Sequence, residues 1–65
     1  MSVAKIVELT ATGSSIEEAI NEGVAKAGES LRNIHHVYVD AIEANIENEK
    51  VSGFHVHLKL TFVIE

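Results

Sequence analysis

The histidines are the residues of this sequence with the most evident capacity for chemistry. The 65-residue chain contains four of them: His35, His36, His55 and His57. A neutral imidazole can bind a transition metal, and it can both donate and accept hydrogen bonds. Adjacent residues of a strand point to opposite faces, whereas residues two apart share a face. Therefore the pair His55 and His57 could reach a common ion, whereas the adjacent pair His35 and His36 could not.

Two interpretations of this pair remain open. With a carboxylate from another chain, His55 and His57 would form a plausible site for zinc or another transition metal. A His-x-His pair in a strand is an unspecific pattern, however, and it is equally typical of interface residues whose hydrogen bonds are satisfied. No spacing of carboxylates in the sequence resembles a calcium-binding loop.

The sequence predicts a protein that is not an enzyme. It contains no cysteine, no glycine-rich phosphate-binding loop and no paired catalytic carboxylates. Ser52, His55 and Asp40 supply the residue types of a hydrolase triad. The serine nevertheless lacks the elbow motif that exposes such a nucleophile.

Charge and hydropathy exclude further classes of partner. Ten acidic residues against five basic ones give a net charge of −5, and the basic residues form no cluster that could neutralise phosphates. The N-terminal segment has no continuous apolar region, because Lys5 and Glu8 interrupt it. We expect a cytoplasmic protein without a nucleic-acid or membrane partner.

Two of the histidines belong to the most regular element of the chain, a long strand predicted over residues 54–65. Its apolar residues alternate almost without a fault and define one face: Phe54, Val56, Leu58, Leu60, Phe62 and Ile64. The other face is mixed and carries His55 and His57. This strand is predicted to hold a helix on its apolar face.

A first strand and a helix are predicted in the preceding residues. The strand covers residues 3–10, and Gly13 marks its end. Either Ser14 or Ser15 can cap the helix, since each precedes a glutamate by three residues. The apolar stripe runs to residue 31 or 32, with Asn33 as the C-cap. Small residues on this stripe, Gly23 and Ala27, predict close packing on a sheet.

A second long strand begins at Ile34, and residues 47–50 form a hairpin turn. Its apolar pattern is interrupted, which predicts either two partly buried faces or a bulge near Asp40. Val51 begins the third strand, which continues into the regular segment at residues 54–65, and Gly53 is a possible bulge or bend in it. The sequence thus predicts an α+β fold of order β-α-β-β. One helix lies across a three-stranded antiparallel sheet, and residues 1–65 form a single domain.

So short a chain buries only about 60% of its unfolded surface. Without cysteine, it has no disulfides to supplement the core. We therefore expect a homo-oligomer.

The sequence resembles the dodecin family along essentially its whole length. The resemblance rests on four segments: VAKIVEL at residues 3–9 with a Thr-x-Thr-Gly-Ser-Ser turn after it, Ile-Glu-Glu-Ala-Ile at 16–20, Asn-Ile at 33–34, and Val-x-Leu-x-Leu-x-Phe-x-Ile-Glu at 56–65. It implies a hollow dodecamer that binds flavins such as riboflavin or FMN for storage or sequestration, without catalysis.

The resemblance also implies a binding site. In flavin-binding members a tryptophan stacks on the flavin ring and a glutamine bonds its polar edge; these positions fall on His36 and His55. Both signature residues are absent, and the segment from Ile34 to Tyr38 is similar to members that lack the tryptophan. Tyr38 shares a face with His36 and could supply a larger ring. The expected cofactor-binding residues are His36, Tyr38 and His55, with a flavin-free or metal-binding cage as the alternative.

Overall fold

A computed structural model describes residues 3–64, which form one helix and three strands. In chain order these are β1 (Val3–Gly13), α1 (Ile16–Ala27), β2 (Ile34–Glu47) and β3 (Lys50–Ile64). The strands pair antiparallel in the order β1-β3-β2. The predicted α+β class and β-α-β-β order are confirmed, and β3 is the central strand. The last residue of the predicted third strand, Glu65, lies outside the described residues.

The core lies between α1 and the apolar face of β3. Val56, Leu58 and Leu60 are 0%, 1% and 0% exposed, and Ala11 of β1 and Ala19 of α1 pack in the same core. Alternation along β3 directs these side chains to one face. Burying each of the larger ones contributes roughly 1.5–3 kcal/mol to stability.

Both serines before α1 take part in its N-terminus. Ser15 is the N-cap, and its hydroxyl accepts a hydrogen bond of 3.0 Å from the Glu18 N–H. The Glu18 carboxylate in turn accepts from the Ser14 N–H at 2.9 Å and from the Ser14 hydroxyl at 3.0 Å. These two bonds lower the pKa of Glu18, because they favour the charged carboxylate.

The predicted end of the helix was wrong. The helix ends at Ala27, four to five residues before the expected position, and Gly28 is its C-cap. Glycine has a low helix propensity, and beyond it the chain continues as turns, with the Leu31 N–H donating to the Ala27 carbonyl at 2.8 Å. Asn33 adopts the left-handed conformation (φ 59°), but it precedes β2 directly instead of capping α1.

Two glycines allow the helix to approach the sheet closely. A Cβ at Gly23 would lie 2.9 Å from Leu58 Cδ1, which confirms the predicted packing role of the small residues on the stripe. β1 extends three residues beyond the predicted 3–10, up to Gly13, the residue expected to mark its end. A Cβ at Gly13 would lie only 2.7 Å from the Ala19 backbone nitrogen. The helix is therefore seated directly on the end of β1.

Bulges explain the interrupted pattern of β2. The register with β3 shifts between Ile34 and His36 and again between Val39 and Ala41, so His35 and Asp40 are the extra residues. The predicted bulge near Asp40 is confirmed. The two bulges bring residues of both odd and even number to the helix side, where they face the apolar residues of β3: Ile34, Val37, Val39, Ile42 and Ala44.

A two-residue turn joins β2 to β3. Asn48 and Glu49 both have positive φ, 52° and 63°, which is the type I′ geometry that suits antiparallel strands. A third register shift follows at once, because Asn45 pairs with Gly53 while Ile46 pairs with Val51. The hairpin predicted at residues 47–50 is confirmed, with its irregularity beside Gly53.

The helix covers only part of the sheet. It packs on β1 and β3, and beyond it three apolar side chains of the hairpin stay exposed: Ile42 at 47%, Ile46 at 61% and Val51 at 56%. These side chains are on the helix side of the sheet. The helix also leaves the whole opposite face of the sheet uncovered. None of the helices in residues 3–64 is long and apolar enough to cross a lipid bilayer.

Candidate functional site

The histidines of interest lie on the face of the sheet opposite α1, which we call the open face. Side chains directly opposite each other in a sheet share a face. The odd-numbered residues from 55 to 61 in β3 point away from the helix. Together with the residues paired with them they define the open face: Ile6, Glu8, Thr10, Thr12, His36, Tyr38, Ala41, Glu43, His55, His57, Lys59 and Thr61. All three predicted cofactor-binding residues are therefore on one face.

An aromatic pair occupies one end of the open face. His36 is opposite Thr61 and Tyr38 is opposite Lys59, and both side chains are exposed, Tyr38 at 59%. Because of the bulge at His35, His36 points to the open face although Ile34, two residues earlier, points to the helix side. The two rings are thus neighbours on a surface that their own chain leaves uncovered.

His55 lies near the other end, half-buried beside Asn45. Its Nε2 atom is 2.8 Å from the amide nitrogen Nδ2 of Asn45. The Ser52 hydroxyl donates to the Asn45 main-chain carbonyl at 3.3 Å. The imidazole is therefore fixed in orientation by a neighbouring strand.

His57 joins all three strands. Its Nε2 lies 2.8 Å from Glu43 Oε1 in β2, and its Nδ1 lies 3.1 Å from Thr10 Oγ1 in β1. The hydrogen bond to His57, and the positive charge of its protonated ring, lower the pKa of Glu43. An open cavity of about 200 Å³ adjoins the ring and is lined by Glu8, Leu9, Thr10, Asp40, His57 and Leu58.

One chain does not bring the three predicted cofactor-binding residues to a single point. His36 is opposite Thr61, and Thr61 lies six positions along β3 from His55, a distance of roughly 20 Å at about 3.3 Å per residue. His36 is close to Tyr38, and His55 is close to His57. A site that uses all three residues requires contributions from more than one copy.

Neither a metal centre nor a hydrolase triad is assembled within residues 3–64. No group of three or more potential metal ligands is found there, and the Glu43 carboxylate already bonds His57. Ser52 bonds a main-chain carbonyl, so it does not extend into a chain with His55 and Asp40. A metal bound by His55 and His57 would need ligands from another copy.

Comparisons with known proteins agree with this architecture. The family model described as Dodecin matches residues 3–65. The crystal structure of an arginine-to-alanine variant of the T. thermophilus dodecin is 32% identical, with a TM-score of 0.92 over 100% of this chain and 98% of that one. The dodecin from Streptomyces coelicolor is 26% identical, with a TM-score of 0.91 over 98% of this chain and 93% of that one.

A third structure, the dodecin from Streptomyces davaonensis, shares the fold with a TM-score of 0.90 at 17% identity, covering 98% of this chain and 96% of that one. A search of curated proteins gives no significant match. The family match spans nearly the whole sequence, and the strand order, helix and hairpin agree with it. The chain therefore belongs to the dodecin family.

Proposed function

We propose that this protein binds a small planar ligand, a flavin such as riboflavin or FMN, and stores or sequesters it in the cytoplasm without catalysing a reaction. The observation that carries this proposal is the exposed pair of His36 and Tyr38, the latter 59% exposed, on the open face. Exposed neighbouring rings offer a stacking surface for a planar ligand. Membership in the dodecin family makes a flavin the ligand of choice.

The ligand would lie between copies of the chain. Because His36 and His55 are roughly 20 Å apart within one chain, the rings of one copy would stack on the ligand while His55 of another bonds its polar edge. The cage we propose is a homododecamer. Its formation would also cover the exposed apolar side chains of the hairpin, such as Ile46.

Binding is expected to be weaker than in family members with the tryptophan and glutamine. An imidazole has less stacking area than an indole, although aromatic pairs add only about 0.5–1.5 kcal/mol beyond burial. Tyr38 compensates in part with a larger ring. A family member without the two signature residues would therefore retain measurable affinity.

Titration of the purified protein with riboflavin and FMN, followed by flavin fluorescence, tests the proposal. We expect quenching, and a loss of affinity of about tenfold for Tyr38→Ala, which corresponds to ~1.4 kcal/mol. His35→Ala is the matched control, since His35 is an exposed bulge residue in the same strand. Absence of quenching at tens of micromolar (about 10–100 μM, or −5 to −7 kcal/mol) would contradict flavin binding.

The alternative is a cage that does not bind flavin and is either empty or loaded with metal. The absence of the tryptophan and glutamine favours it, as does the presence of two imidazoles, His55 and His57, on one face. The absorption spectrum of freshly purified protein, together with elemental analysis, separates these functions. A flavin spectrum supports the first proposal, and stoichiometric metal without flavin supports the second.

A further inference from the structure

The contact between Asn45 and His55 determines which hydrogen bonds His55 can make. The Asn45 atom that faces the ring is the amide nitrogen Nδ2, 2.8 Å from Nε2. An amide nitrogen carries hydrogens and acts only as a donor. His55 Nε2 must therefore be the acceptor, and in a neutral imidazole this leaves the ring proton on Nδ1.

The other nitrogen of His55 is available to a ligand. Within residues 3–64 His55 Nδ1 has no hydrogen-bond partner, while no buried side-chain nitrogen or oxygen there lacks one. Nδ1 is therefore reached by solvent. Its N–H is a donor on the open face that the protein itself leaves free.

His57, two residues along the same strand, has the opposite arrangement. Its Nε2 faces the Glu43 carboxylate at 2.8 Å, and a carboxylate only accepts, so His57 carries its proton on Nε2. The Nδ1 of the neutral ring can then accept from the Thr10 hydroxyl at 3.1 Å. Neighbouring imidazoles thus hold opposite tautomers, each set by a side chain of β2.

From this geometry we propose that His55 presents a donor and no acceptor to the ligand, so that it recognises an acceptor edge such as a carbonyl oxygen. This inference rests on the proposed function and specifies how its site reads the ligand. The polar edge of a flavin has an N–H at N3 between two carbonyl groups. His55 would bond one carbonyl and make no hydrogen bond with the N3–H, which would stay in contact with solvent, whereas a glutamine amide could pair with both groups.

The tautomer is measurable without any ligand. Nitrogen-15 NMR of histidine-labelled protein at neutral pH should show His55 protonated at Nδ1 and His57 at Nε2, with His57 as the internal control. Asn45→Asp should move the His55 proton to Nε2, because a carboxylate faces that atom as an acceptor. Protonation of His55 at Nε2 in the unaltered protein would overturn the proposal.

Ligand discrimination provides the second readout. Riboflavin and its N3-methyl derivative should bind the unaltered protein with affinities within about threefold of each other, a difference of ~0.7 kcal/mol. A His55→Gln variant should favour the unmethylated ligand by about tenfold or more, since the amide can accept from N3–H. Strong discrimination by the unaltered protein would overturn the proposal. Failure of both ligands to bind would instead count against the proposed function, and the NMR result would still decide the tautomer.

Discussion

His57 is the side chain that connects the three strands on the open face. One of its ring nitrogens contacts Glu43 in β2 and the other contacts Thr10 in β1. Solvent screens pairs between exposed side chains, so they contribute little to stability, and the pair with Glu43 is well exposed. The main consequence of these hydrogen bonds is therefore orientation. They fix the His57 ring beside His55 and give Glu43 a partner.

The pairing predicts a defined pH dependence. The pKa of Glu43 is lowered from 4.5, first by the hydrogen bond to His57 and then by the charge on that ring. Since the unfolded carboxyl has the higher pKa, the stabilisation is fully present above pH 4.5 and is lost as the pH falls through the lower folded value. His57→Ala should raise the pKa of Glu43 and reduce this acid sensitivity, as measured by carbon-13 NMR titration and by unfolding at each pH.

His35→Ala is the control for this prediction, because His35 lies at a bulge and makes no contact with Glu43 among the hydrogen bonds of residues 3–64. The His35→Ala substitution should leave the pKa of Glu43 unchanged. An unchanged Glu43 pKa in His57→Ala would show that the two side chains do not interact in solution.

At the scale of elements, the contact between α1 and the end of β1 limits which residues fit. Gly13 adopts no positive φ, so its requirement for glycine is one of space: an added Cβ would meet the Ala19 backbone nitrogen at 2.7 Å. Backbone atoms cannot move aside as a flexible side chain can. The close approach of helix and strand therefore depends on this position.

We expect Gly13→Ala to destabilise the fold by roughly 1–3 kcal/mol, the usual cost of overpacking. Gly53→Ala is the matched control, since a Cβ there would make an ordinary contact of 3.5 Å with the Gly13 carbonyl oxygen. That variant should be neutral or more stable by up to about 1 kcal/mol. Denaturant unfolding at a fixed protein concentration measures both, and equal stabilities would refute the packing argument.

The hairpin turn offers a stabilising substitution. Glu49 has φ 63°, a conformation in which a side chain costs roughly 1–2 kcal/mol but glycine does not. Glu49→Gly should therefore raise the thermal midpoint, with a gain of about 1 kcal/mol. Glu47→Gly, the same change at the end of β2, should lower it. The opposite order of the two midpoints would contradict the assigned turn.

These elements show how much of the fold the sequence could predict. The alternation of β3, the serines before α1 and the turn residues 47–50 are local signals. The strand, the N-cap and the hairpin turn follow from them in that order. Counting back from the two-residue turn places His55 opposite Ile42. The register shift near Gly53 pairs it with Glu43 instead. Bulges of this kind depend on packing between strands, so the contacts of His55 and His57 could not be predicted.

The candidate site was predictable to a similar extent. The resemblance placed His36, Tyr38 and His55 together, and the sheet does put them on one face. Asn45 and Glu43 were missed, because no local pattern marks them as partners of histidines ten and fourteen residues away. The alternation of residues along a strand identifies the face on which a side chain lies. Contacts between strands can be predicted only when the pairing register is known.

For the whole molecule, the dominant feature is that α1 covers only part of the sheet. The chain is elongated, with extents of 51 × 20 × 13 Å, and the exposed apolar residues of the hairpin extend beyond the helix. An apolar surface of this kind usually indicates an interface. It supports the expectation that folding of this short chain is completed by association.

An acidic substitution on this surface tests the expectation. Ile46→Glu, at a side chain 61% exposed in the single chain, should dissociate the assembly, because a charge buried in an interface without a partner is strongly destabilising. Ser30→Glu, at an exposed residue after the helix, is the control and should leave the mass unchanged. Light scattering that shows full-size assemblies for Ile46→Glu would exclude this surface from the interface.

The central position of β3 also bears on how the protein is made. β1 pairs with β3 alone within the described sheet, although α1 and β2 lie between them in the chain. As the polypeptide leaves the ribosome, α1 can pack on β1, but β1 has no strand to pair with until β3 emerges, while the β2–β3 hairpin closes locally. Contacts so distant in sequence form late. The nascent chain thus passes through a period in which an unpaired strand is open to chaperones or to premature contact with other copies.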